Sequence, residues 1–206
     1  MSASLTYITT GFFLGLTGLI PGPLLTLVIS ETLKYGTKAG IKVAVSPLIT
    51  DLPIILVTIL IMSRLTDTDY ILGVIAFGGS IFLVYLAYES FSFKGVGSEI
   101  NMQTDVIKKG IIANFLNPSP YIFWFTLGAP TIIKAFNKSF INAALFIVVF
   151  YSVLVGSKVV IALITGRAKN LLSSKYYLYL IRFLAVTLLL FAIYFVKNGL
   201  CFFDVI

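Results

Sequence analysis

The chain has 206 residues, 59% of them hydrophobic and only 11% charged, with a formal net charge of +7. A soluble domain carries roughly 25% charged residues, so the composition excludes an ordinary water-soluble fold and reads as an all-α integral membrane protein. The absence of histidine and the presence of one cysteine, Cys201, exclude an intrachain disulfide, a Cys/His metal centre and histidine-held haem.

No cofactor and no metal site are therefore expected. The basic residues fall in short segments between apolar runs, where topology and anionic lipid account for them better than nucleic acid does. Six stretches approach the about 20 apolar residues that cross a bilayer: roughly 5–30, 40–62, 70–92, 109–133, 140–164 and 176–198. The opening "MSASLTY" lacks the basic region of a signal peptide, and the run after it is too long for one, so the first stretch is expected to be a retained helix.

That first stretch holds Pro21-Gly22-Pro23 at its middle. An interior proline removes a backbone hydrogen bond and clashes with the preceding turn, at about 3 kcal/mol. In lipid the freed carbonyl has no water to turn to. Gly22-Pro23 suits the start of a new half-helix, with glycine as the cap and proline in the first helical position. Gly11, Gly15, Gly18 and Gly22 recur at helical spacing and make one face suited to close helix packing.

The second stretch carries Asp51 in "VSPLITDLPIIL", bracketed by Pro47 and Pro53. A mid-span aspartate costs roughly 2.5–3.5 kcal/mol on insertion scales. Its retention has two readings: a structural partner on a neighbouring helix, or a proton carrier or ligand for a substrate ammonium. The third stretch is followed by a segment, 93–108, that contains Gly95, Gly97, Ser98, Asn101 and Gln103, the composition of a linker. Glu31 and Glu89, near span ends, and Arg182, near the start of the sixth, read as interfacial.

In the fourth stretch, "NFLNPSPYIFWF", Asn117-Pro118 again pairs a capping residue with proline in the first helical position. Each break would expose amide N–H groups and the positive end of a helix dipole near the midplane, a place for a carboxylate or another anion. Phe115, Tyr121, Phe123, Trp124 and Phe125 surround this break and read as aromatic belt and lipid contact. Lys158 lies deep in the fifth stretch. Either it snorkels to the interface or it pairs with Asp51.

Lys34, Lys38, Lys42, Lys94, Lys108, Lys109, Arg167, Lys169 and Lys175 fall on one side of the expected topology, against Arg64, Lys134, Lys138 and Lys197 on the other. The positive-inside rule places the first group in the cytoplasm and both termini outside; the expected location is the plasma membrane. Pro118 and Pro120 repeat Pro21 and Pro23 at one shared offset. Three spans per half turn the second half over, so the expectation is two inverted three-helix repeats, with helices 1 and 4 broken at Pro-x-Pro. Residues 1–92 form the first repeat, 93–108 a cytoplasmic linker and 109–206 the second repeat.

Gly15, Pro21-Gly22-Pro23, Gly36, Gly40 and the mid-span Asp51 together resemble the lysine-exporter (LysE/RhtB) family of amino-acid exporters. "GGSIFLVYLAYESF" is similar to the family's third span, and "GIIANFLNPSPYIFW", with Gly110, Asn114, Asn117, Pro118 and Phe123, looks like its second motif stretch. The chain departs from the family at Ser119-Pro120, where Lys commonly follows Asn-Pro, and at Ser46-Pro47, where Leu-Gly is usual. The resemblance implies efflux of an amino acid or related small metabolite by proton antiport. The expected substrate-binding set is Pro21, Gly22, Pro23, Asn114, Asn117, Pro118 and Ser119, with Asp51 and Lys158 in proton coupling. The expected partners are the small-molecule substrate, the proton and the lipid bilayer, and a homo-oligomer is left open.

Two other classes compete. A channel or facilitator for a small solute could use paired half-helix ends, but has no need of Asp51. A cation exporter is the second, and one buried aspartate supplies few ligands for it. An enzyme is not expected: there is no His-based motif, and Ser157 and Lys158 are adjacent and point to different faces of a helix.

Overall fold

The chain enters as helix α1 (Ala3–Gly15), tightens into a single 3-10 turn over Leu16–Leu19, and leaves helical geometry at Ile20, whose ψ is 126°. Helix α2 (Pro23–Tyr35) begins three residues later, with Gly22 extended before it and Pro23 in the first helical position. The axis turns by 59° between Ser4–Leu19 and Pro23–Tyr35. The computed structural model describes residues 3–64, 68–92, 105–169 and 174–203, and every regular element among them is helical.

Gly36 ends α2 at a φ of +93°, a left-handed conformation that suits glycine, and redirects the chain into α3 (Thr37–Ala44). Helix α4 (Ser46–Arg64) follows a one-residue interruption at Val45. Pro47 thus lies in the first turn of α4, where a missing N–H costs little, and Pro53 is the proline within the helix. The bracketing of Asp51 by two equivalent helix-breakers, expected from the sequence, reduces to one interior proline.

Helix α5 (Thr68–Phe91) is followed, after the undescribed part of the linker expected over 93–108, by α6 (Asp105–Phe115). Lys94 and the linker glycines lie outside the described residues. Then come α7 (Pro118–Phe123), a π turn over Trp124–Gly128, and α8 (Ala129–Lys138). The long helices α9 (Phe140–Lys169) and α10 (Ser174–Phe202) complete the order.

Among the described residues, four helical runs are long and apolar enough to cross a membrane: Thr37–Thr58, Gly73–Phe91, Phe140–Ala168 and Leu178–Phe202; counting the bent α1–α2 pair as one span makes five. The stretch expected as the fourth span, 109–133, is not among them. Its helix stops at Phe115 and restarts at Pro118, because the Asn117 side chain accepts the Ser119 N–H at 3.0 Å and caps a new helix there.

Helix α10 lies along α5, and α1 along α9. The second contact depends on glycine. A Cβ on Gly11 would stand 2.8 Å from the Phe146 carbonyl oxygen, and one on Gly18 would stand 2.6 Å from that of Leu154. Gly22 meets nothing closer than 3.8 Å, so it serves the break and not the packing. One core joins Leu27, Val28, Val43, Leu86, Leu188 and Phe195, and a second gathers Ile54, Trp124 and Phe150. Large apolar side chains face outward at Ile81, Phe140, Phe183 and Ile193, the pattern of a bundle solvated by lipid.

Candidate functional site

The two interruptions, the first two turns of α4 and the middle of α9 border a cavity of about 250 Å³. Of the residues expected to form the site, Pro21, Gly22, Pro23, Asp51, Asn114, Asn117, Ser119 and Lys158 all line it. Pro118 is buried behind the wall and fixes where α7 begins. Phe123, Trp124, Phe150 and Leu154 supply an apolar side.

Backbone polarity enters at α2. The first bond of that helix runs from the Thr26 N–H to the Gly22 carbonyl at 2.9 Å. The amides of Leu24 and Leu25 precede it, and both residues line the cavity. The first amides of a helix have no intrahelical acceptor and carry its positive dipole end. At the other interruption, the Tyr121 hydroxyl donates to the Phe115 carbonyl at 3.0 Å, partnering a carbonyl at the end of α6.

Asp51 is the best-connected polar side chain of the cavity, with 4% of its surface exposed. The Asn114 amide donates to Oδ1 at 2.9 Å and to Thr50 Oγ1 at 2.6 Å. The Tyr151 hydroxyl donates to Oδ2 at 3.2 Å. Trp124 lies against the same carboxyl group. Three elements, α4, α6 and α9, therefore meet at one carboxylate through neutral donors.

Lys158 is 6% exposed, and its ammonium donates to the Leu154 carbonyl at 3.3 Å within its own helix. Its charge acts on Asp51. Among the described residues, however, Asp51 forms no ion pair with it or with any other cation. Lys158 faces the cavity beside Gly18, where a Cβ would stand 3.0 Å from Nζ. Lys158 thus shares a wall with Asp51 without being bound to it.

Trp124 differs from its expected place in an aromatic belt. It is fully buried and packs edge-on to Phe150 at a centroid distance of 5.5 Å. The π turn and Gly128 account for this, since a Cβ on Gly128 would strike the indole ring. Phe125, one residue on, is exposed. The helical period separates the two, and the aromatic run by itself does not say which residue turns inward.

Glu31 and Glu89 also depart from the expected interfacial position. Glu31 has no exposed surface, and with Glu89, Lys34 and Lys109 it forms a buried group of four charges. Lys34 and Lys109, expected among the cytoplasmic loop cations, lie on α2 and α6. A local signal was present: Glu31 precedes Lys34 by three positions, a helical ion-pair spacing.

The sequence model of the LysE type translocator family matches residues 16–199, nearly the whole chain and every part of the cavity. The chain belongs to this family. No curated protein and no solved structure matches it. As a LysE type translocator it is a multi-pass membrane protein whose cargo is a small molecule.

Proposed function

We propose that this LysE type translocator is a secondary transporter that exports an amino acid or a related small metabolite from the cytoplasm by proton antiport. The observation that carries the reading is Asp51: a carboxyl group on the cavity wall, held by Asn114 and Tyr151 and free of an ion pair among the described residues. Such a group can take up or release a proton without first breaking a salt bridge. It can also answer the arrival of a substrate ammonium or of a change in the charge of Lys158.

The substrate carboxylate goes to the start of α2, where Leu24 and Leu25 line the cavity and their amides precede the first intrahelical bond. Asn114, Asn117 and Ser119 line the opposite wall, and Pro118 holds the start of their helix. The restart of helix at both Pro23 and Pro118, each after an extended residue, supports two inverted three-span repeats with residues 105–138 as the fourth, broken span. The Lys and Arg distribution supports an orientation with both termini outside, and export from the cytoplasm puts the protein in the plasma membrane.

Reconstituted protein tests this. Vesicles loaded with labelled cationic or neutral amino acids should accumulate or release them against a gradient when a pH difference is imposed. Downhill movement alone, indifferent to pH, would make the protein a facilitator. Failure of every amino acid tried would sink the substrate class.

A further inference from the structure

We infer that Glu31, Lys34, Glu89 and Lys109 form the gate that closes the cavity on the side of the loop at Gly36; this rests on the transporter reading. The four charges come from three elements, α2, α5 and α6. Each lysine reaches both glutamates. Lys109 Nζ lies 2.6 Å from Glu89 Oε1 and 3.6 Å from Glu31 Oε2, and Lys34 Nζ lies 3.1 Å from Glu31 Oε1 and 3.4 Å from Glu89 Oε1. Tyr35 adds a hydroxyl that donates to Glu89 at 3.4 Å, and its ring lies under Lys109. The closed ring has zero net charge.

Its position is that of a seal. Glu31 follows the cavity residue Leu25 by six positions on α2, roughly 9 Å along the helix. Between them Leu27, Val28, Leu86 and Ala113 belong to one buried apolar cluster. The way from the cavity toward Gly36 is therefore shut twice, by a dry layer and then by the charges.

Stability alone does not call for this arrangement, because apolar residues of equal volume serve a buried position as well or better. Charges add a second acceptable state. When the three elements part and water enters, each group becomes hydrated, whereas a parted apolar seam remains unfavourable. Among the described residues, Glu31 Oε2 and Glu89 Oε2 are buried and accept no hydrogen bond, and Lys109 stands 3.6 Å from the first, so the closed ring leaves oxygens that water would satisfy on opening.

Ser30 and Ser90 give a direct test, since their hydroxyl oxygens lie 3.4 Å apart between α2 and α5, next to the ring. In full-length protein carrying Cys201→Ser, the pair Ser30→Cys/Ser90→Cys should form a disulfide on oxidation. Transport of labelled lysine or leucine should then fall at least about tenfold and return on reduction. Undiminished transport through the cross-linked protein overturns the gate while leaving the transporter reading intact; no transport by the reduced protein sinks that reading instead.

A second arm is independent of the cross-link and of the substrate. A Ser119→Cys thiol on the cavity wall is exposed to a membrane-impermeant maleimide from the side on which Lys38→Cys is labelled. Adding Glu89→Gln should speed that labelling about tenfold or more. Equal labelling with and without Glu89→Gln rejects the gate.

Discussion

Asn114 on α6 donates its side-chain amide to Asp51 on α4 at 2.9 Å, and the same nitrogen donates to Thr50 at 2.6 Å. Its amide thereby fixes the rotamer of the carboxyl group and ties the second half of the chain to the first. Tyr151 on α9 completes the link from the other carboxylate oxygen. A change in the charge of Asp51 is felt at once by three elements that border the cavity.

Asn114→Ala should therefore be costly. It leaves a buried carboxylate oxygen and the Thr50 hydroxyl short of a donor, a loss of about 1–3 kcal/mol. Tyr151→Phe removes one longer bond of 3.2 Å and should cost less. Because both side chains hold one group, the double variant should depart from the sum of the singles. Unfolding in detergent measures all three. A neutral Asn114→Ala would mean that water replaces the amide and that Asn114 does not hold the carboxyl group.

The prolines should behave differently. Pro23 and Pro118 each occupy a first helical position, where alanine is tolerated. Pro23→Ala and Pro118→Ala should each change stability by less than about 1 kcal/mol. They should nevertheless weaken substrate binding, because the break is then free to shift and the amides of Leu24 and Leu25 lose their fixed aim. Wild-type affinity in both variants would show that Gly22 and Asn117 hold the breaks without help.

Much of this architecture could be read from residue types. The apolar runs marked most of the long helices, and Gly22-Pro23 and Asn117-Pro118 carry a local capping chemistry that does not need the rest of the fold. Asp51 declared itself by its cost. What could not be read was three-dimensional pairing. Glu31 and Glu89 looked interfacial because each is acceptable near a span end, and only the approach of α6 brings Lys109 onto them. The inward turn of Trp124 depends on a π turn and on the room that Gly128 leaves, neither of which has a periodic signature. The fourth stretch was legible as apolar, but its two halves are separately too short to stand out as one long helix.

The glycine face that runs from α1 into the 3-10 turn makes a packing prediction with a built-in control. Gly18→Val should drive a branched side chain into the Leu154 carbonyl and the Ser157 hydroxyl, costing about 1–3 kcal/mol and separating α1 from α9. Gly156 sits in α9, and an added Cβ there meets nothing within 4 Å. Gly156→Ala should be neutral or stabilising by up to about 1 kcal/mol through helix propensity. Thermal melts of the two variants should move in opposite directions, or Gly18 alone should move. A harmless Gly18→Val would mean that the 3-10 turn does not pack closely against α9.

Topology is checked in intact cells. With both termini outside, a tag at either end should react with a membrane-impermeant label. Protection of both tags reverses the orientation, and protection of one breaks the six-span scheme.

The strongest test falls on Asp51. Asp51→Asn keeps the size of the side chain and one acceptor oxygen for Asn114, but it cannot titrate. The variant should fold, exchange substrate across the membrane and lose uphill export driven by a pH difference. Asp51→Glu should retain part of the coupling, with a changed pH profile, since its carboxyl group sits one methylene farther from the α4 backbone and is displaced relative to Asn114 and Tyr151. Lys158 separates two accounts of this residue. If the aspartate served only to balance Lys158, then Asp51→Asn would destabilise the protein by leaving a buried ammonium uncompensated, and Lys158→Met would restore it. The Lys158 ammonium donates to its own helix and makes no ion pair with Asp51, so we expect no such rescue. Lys158→Met should instead impair transport on its own, because it removes a cation from the cavity wall. Normal pumping by Asp51→Asn against a gradient would rule out Asp51 as the coupling group and, with it, the mechanism proposed here.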